Sequence, residues 1–153
     1  MTILESAQRQ AVLAVAESWI GTPYHHQGRV KGRQGGVDCA MLLLEVFREA
    51  GLIKNDNPIS YYSPQWHLHR GEEKYLQTIL AFGGREIASP LHGDLAMWKI
   101  GRAYSHGAIV LLWPCIIHAA VPPIGACILD NAMSSALHLT KYPVKFFTAW
   151  PEK

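Results

Sequence analysis

The feature that most constrains this chain is a change of hydrophobic period along its length. Toward the N-terminus, apolar residues recur at helical spacing. Leu4, Ala7, Ala11, Val15 and Trp19 form one stripe from Leu4 to Ile20, stopped by Gly21-Thr22-Pro23. A second helix is predicted to start at Asp38, whose carboxylate suits an N-cap, to run from Cys39 to Ala50 and to stop at Gly51. Met41, Leu42, Leu43, Leu44, Val46 and Phe47 make it apolar on much of its circumference, so it is the helix expected to be buried. A third, shorter helix fits Glu72 to Phe82, ahead of Gly83-Gly84. Farther on, the pattern changes to short apolar runs separated by Gly, Pro and Asn. Asp94 to Ile100, His106 to Trp113, Cys115 to Ala120, Ala126 to Asp130 and Val144 to Ala149 read as strands. Helices first and strands afterwards argue against alternating βαβ units. They predict an α+β domain with an antiparallel sheet of about five strands.

The length, 153 residues, suits a single domain spanning 1–153. A content of 49% hydrophobic and 17% charged residues excludes a disordered chain. The apolar runs are too short to span a bilayer, and a formal charge of +2 gives no basis for a nucleic-acid partner. Met1 to Gln10 lacks a basic segment followed by an apolar one, so the expectation is synthesis in a cytoplasm without a signal peptide. No metal or other cofactor is expected. His25-His26 and the His67/His69 pair have no partner at metal-ligand spacing, and there is no CxxC. The glycine-rich loop from Gly28 to Gly36 lacks the phosphate-binding order, and its Arg29, Lys31 and Arg33 read as solvated.

Three cysteines are an odd count, which argues against a disulfide scaffold and leaves a reactive thiol in play. Cys115 and Cys127 lie in strand-like apolar runs and are expected in the core. Cys39 differs. With Asp38 as cap, it stands in the first turn of a helix, where the positive end of the dipole favours thiolate and lowers the pKa. Gly35-Gly36 just before it would let a substrate backbone approach closely. A thiol nucleophile needs a base, and His106 is the best candidate. His118 lies twelve residues on, which fits a hairpin turning near Trp113-Pro114 with both imidazoles on one face. His118 would then orient His106 as the third member of a triad. Trp66, Trp98, Trp113 and Trp150 read as packing residues more readily than as a sugar platform.

The same residues carry a family resemblance. Trp19-Ile20-Gly21-Thr22-Pro23-Tyr24, Gly35-Gly36-Val37-Asp38-Cys39, Gly93-Asp94-Leu95, Ser105-His106-Gly107-Ala108-Ile109-Val110 and Ile117-His118-Ala119 resemble, in order and local spacing, the NlpC/p60 peptidases. The likeness covers roughly Ala11 to Ala120. It implies a papain-like fold and a cysteine peptidase acting on peptidoglycan peptides, commonly between D-glutamate and a diamino acid. By the same resemblance Cys39 is the nucleophile, His106 the base and His118 the third polar residue. Tyr24 and Asp38 inherit substrate recognition, and Gly36 and Ser105 are expected to bind substrate with them. Thr22-Pro23-Tyr24-His25-His26-Gln27 is similar to the branch carried by bacteriophages and gene-transfer particles, which implies action at the cell wall beside phage tail proteins.

The chain departs from the family pattern in three places. Ala40 stands where the family usually has Ser, the stretch from Asn55 to Gly71 adds length, and Leu111-Leu112-Trp113-Pro114 replaces a glycine-rich turn. None removes a triad member. Two other readings use the same residues: a papain-like amidase or acyltransferase on another substrate, and a catalytically silent tail-assembly module.

Overall fold

The hydroxyl of Thr2 accepts the N–H of Glu5 at 3.0 Å and so opens helix α1, Ile3–Ser18. The computed structural model describes residues 1–53 and 84–151. The helix expected over Glu72–Phe82, His67, His69, Trp66 and the added stretch from Asn55 to Gly71 lie outside the described residues.

The buried stripe of α1 is not the one its apolar residues suggest. Arg9, Val12, Ala16 and then Trp19 face inward, while Leu4 is 68% exposed. The rotation follows from Arg9. Its guanidinium donates to Glu5 Oε1 at 3.0 Å, to the His92 carbonyl at 2.8 Å and to Asp94 Oδ1 at 2.9 Å, and it lies 4.0 Å over the Trp150 ring. A buried charge is tolerated only with such partners, and here they fix how α1 sits on the sheet. Replacing Arg9 with Met strands the Asp94 carboxylate without its cation. That is expected to cost about 3 kcal/mol of stability, read as a lower urea midpoint at unchanged slope.

Helix α2 spans Cys39–Glu49, with Asp38 as its cap as the sequence predicts. Every residue from Cys39 to Phe47 is buried. Gly51 ends the helix at φ +81°, a conformation that costs glycine little. The segment read as a plain loop holds a small hairpin, β1 (Arg29–Val30) against β2 (Gly36–Val37). Two-residue strands leave no periodicity to find. Arg29 bonds Glu45 at 2.6 Å and Lys31 bonds Glu49 at 2.8 Å, so two of the three basic residues expected in solvent instead tie the hairpin to α2.

Six strands form one antiparallel sheet: β3 (Arg85–Ile87), β4 (Leu95–Ile100), β5 (Ala103–Val110), β6 (Cys115–Ala120), β7 (Ala126–Asn131) and β8 (Val144–Thr148). The spatial order is β3-β8-β4-β5-β6-β7. Five were expected. The sixth, β3, is a short edge strand of sequence Arg-Glu-Ile with no clear alternation. The strand holding His106 begins earlier and ends earlier than predicted. Leu111 to Pro114 go into the β5–β6 turn, which is closed by Leu111 N–H to the Cys115 carbonyl. The two faces are distinct. Leu95, Met97, Ile109, Ile117 and Phe147 pack with the two helices. Ala96, Trp98, Ala108, Val110 and Ile116 pack under the segment carrying Ala132 and Leu139. Among the described residues no helix is long and apolar enough to cross a membrane.

Candidate active site

The site assembles where the head of α2 meets β5 and β6. At the start of β5 the pairing with β4 slips: Trp98 faces His106 and Lys99 faces Tyr104, leaving Ser105 as the extra residue. Such bulges bend a strand and redirect its side chains. Cys39 Sγ donates to the Ser105 carbonyl at 3.5 Å, and the N–H of Gly107 donates to the sulfur. The backbone on both sides of His106 therefore brackets the thiol. Ser105 contributes its carbonyl to the site, while its hydroxyl turns to the Ile100 carbonyl at 3.4 Å.

Val110 pairs with Ile116, so His106 and His118, each an even number of residues away, share a face. Nε2 of His106 lies 2.8 Å from Nδ1 of His118, the juxtaposition that the twelve-residue step predicts. The His106 ring also rests on Trp98, at 5.7 Å between centroids. Sequence reasoning missed one member of this group. Nε2 of His118 lies 2.8 Å from Asp130 Oδ2 on β7. The step from His118 to Asp130 is again twelve residues across a hairpin, and that repetition is the signal that could have found it.

Burial, more than the helix dipole, governs the thiol. It pushes the Cys39 pKa up to about 12. The Asp38 carboxylate adds to the rise, and the N–H groups of Gly107, Ala40 and Cys39 only partly offset it. Burial therefore works against the low-pKa thiolate expected at the helix head, and Cys39 is only 9% exposed. Burial likewise holds His106 well below its ordinary pKa, with His118 adding to the effect, and it lowers His118 against the pull of Asp130. For Asp130, burial pushes the carboxyl up. Hydrogen bonds from Ser135, the Asn131 N–H and His118 outweigh it and leave the pKa below the ordinary value.

Other expected site residues take different parts. Asp38 is 1% exposed. Its Oδ1 accepts the Met41 N–H at 2.9 Å and its Oδ2 the Gln27 N–H at 2.7 Å, so it caps the helix and fastens the loop before it. Gly35 and Gly36 do not open space for a substrate. A Cβ at Gly35 would meet the Val30 carbonyl oxygen at 1.9 Å, and one at Gly36 would meet His25 Cβ at 2.6 Å, so both are needed for the hairpin to close. Tyr24 is half-buried, and its phenol is pushed up first by burial and then by the charges of Cys39 and Asp38. Cys127 is buried as expected, but Cys115 is exposed at the start of β6, outside the core. Trp98 and Trp150 are buried packing residues. No group of three or more metal-ligating side chains occurs among the described residues.

The sequence matches no protein-family model and no curated protein. The architecture does have solved counterparts. It aligns over 90% of this chain and 96% of the NlpC/p60 domain of the peptidoglycan hydrolase SagA, with a TM-score of 0.54 at 19% identity. The fold is that of an NlpC/p60 domain. The peptidoglycan hydrolase RipB of Mycobacterium tuberculosis aligns over 99% of this chain and 70% of its own, with a TM-score of 0.61 at 18% identity. RipD of the same organism aligns over 92% and 96%, with a TM-score of 0.56 at 14% identity, and is a non-catalytic NlpC/p60 domain protein adapted to peptidoglycan binding. The NlpC/p60 fold thus occurs in hydrolases and in a binding protein.

Proposed function

We propose that this chain is a cysteine peptidase of peptidoglycan peptides, with Cys39 as nucleophile, His106 as base and His118 orienting it. One observation carries the reading: the thiol lies against the backbone on both sides of His106, whose ring is in turn bonded to His118. The substrate class is taken from hydrolases of the same fold such as SagA and RipB. The narrower target, a D-glutamyl–diamino acid bond, and delivery by a phage tail rest on the sequence resemblance alone.

In this reading Cys39 enters as a neutral thiol and His106 as a neutral imidazole, which favours concerted activation. The Cys39 S–H passes its proton to Nδ1 of His106 as sulfur attacks the amide carbonyl, and the carbonyl electrons move onto oxygen. In this reading backbone N–H groups at the head of α2 stabilise that oxyanion. His106 returns the proton to the departing amine, leaving a thioester. Water then gives a proton to His106, attacks the thioester, and the acid leaves as sulfur regains its proton.

Purified protein incubated with defined muropeptides is expected to yield two fragments whose masses sum to the substrate plus water. Intact muropeptides after prolonged incubation would overturn the peptidase reading. A buried thiol with a raised pKa favours one rival, a silent wall-peptide binder of the kind RipD represents. That rival predicts saturable muropeptide binding without cleavage. Turnover of a lipid or small amide in place of muropeptides would instead support the amidase or acyltransferase reading.

A further inference from the structure

Asp130 ends a row of three side chains drawn from three consecutive strands, β5, β6 and β7. We infer that Asp130 sets the tautomer of His106 through His118, so that Nδ1 of His106, the ring nitrogen not bonded to His118, is the basic one.

The assignment follows from donors and acceptors along the row. A carboxylate only accepts hydrogen bonds. At 2.8 Å from Asp130 Oδ2, His118 Nε2 must therefore carry hydrogen and donate. A neutral imidazole has one N–H and one lone pair, so His118 Nδ1 is an acceptor. That nitrogen lies 2.8 Å from His106 Nε2, which must then donate to it. The lone pair of His106 is left on Nδ1. The reverse arrangement has the same distances. In it, His118 Nδ1–H donates to His106 Nε2, and His106 Nδ1 carries hydrogen and cannot take a proton. The two histidines alone do not choose between these arrangements, whereas the carboxylate does. The neighbours of Asp130 keep it ionised: the Asn131 N–H donates to Oδ1 at 2.8 Å, and Ser135 also hydrogen-bonds the carboxylate. Burial of both rings disfavours a doubly protonated imidazole, which would make the distinction moot.

Asp130 is thus a positioning residue. Its part in catalysis rests on the base assigned to His106 above, but the tautomer itself does not depend on activity. The experiment is two-bond 1H–15N correlation NMR on protein labelled at histidine nitrogens, which distinguishes Nδ1–H from Nε2–H. Wild type at pH 7.5 is expected to show both His106 and His118 as Nε2–H. In Asp130→Asn, the Asn131 N–H still requires an oxygen at the Oδ1 position. The amide NH2 must then point at His118 Nε2, and both rings are expected to switch to Nδ1–H. An Nδ1–H pattern in wild type, or no switch in a folded Asp130→Asn protein, overturns the inference. The wild-type spectrum decides even where the variant does not fold. Expected tautomers in a protein that leaves muropeptides intact would sink the peptidase reading and leave this one standing. Hydrolysis with the opposite tautomers would do the reverse.

Discussion

His106→Ala is expected to lower kcat for muropeptide cleavage about 100- to 10,000-fold, the usual contribution of a positioned general base, with KM little changed. The imidazole acts only as the proton leaves sulfur, so its loss falls on the transition state and spares ground-state binding. Cys39→Ala removes the attacking atom and is expected to abolish the thioester route altogether. His118→Ala should do less, about 10- to 100-fold, the range for a group that orients a reacting ligand without touching substrate. Thermal unfolding of each variant separates these losses from misfolding, since His118 is fully buried against its neighbours. Wild-type kcat in a folded His106→Ala protein would remove the base assignment. Equal losses in His106→Ala and His118→Ala would make the two rings one functional unit and end the division of labour proposed for them.

That division depends on geometry that was only partly legible in the sequence. The head of α2 was legible because it is local: Asp38 caps within one turn, and the run to Phe47 is apolar enough to demand burial. The His106–His118 pair was legible because hairpin register is simple arithmetic once both strands are recognised. Three features escaped because they are set by contacts distant in the chain. The inward face of α1 is chosen by Arg9 meeting Asp94 and the His92 carbonyl, so the apolar stripe is offset from the buried one, with Trp19 common to both. The ionisation of Cys39 depends on how deeply α2 is covered, and a helix dipole argued from position alone overstates its influence there. Gly35 and Gly36 looked like room for a ligand, yet the space beside each is filled by Val30 and His25 of the same chain. Asp130 falls between these cases. Its register was available by the same arithmetic, but a carboxylate near the end of an edge strand reads as solvated until a histidine is found behind it.

The buried neutral imidazoles also set how the fold responds to acid. Both His106 and His118 have folded-state pKa values below the ordinary 6.5. Below about pH 6.5 the unfolded chain binds protons at these positions that the native state does not, so the derivative of stability with pH is positive. Stability from this source is therefore fully present above about pH 6.5 and is lost as pH falls toward the folded-state values. Each histidine contributes a slope of up to about 1.4 kcal/mol per pH unit in that interval. Asp130 acts lower on the scale. Its folded pKa is depressed, so the stability it lends is present above its unfolded value near 3.8 and is lost as pH falls through the folded one. Urea unfolding of wild type and of a His106→Gln, His118→Gln double variant between pH 8 and pH 4.5 isolates the histidine contribution from all other titrating groups. The wild-type curve is expected to fall more steeply below pH 6.5, by up to about 2.7 kcal/mol per pH unit for the pair. Parallel curves would mean that both rings take up protons as readily in the native protein as in the unfolded chain. Native pKa values near the ordinary 6.5 would leave both rings mostly neutral at about pH 7.5 yet charged by about pH 5.5, and burial would then not be what keeps the proposed base neutral.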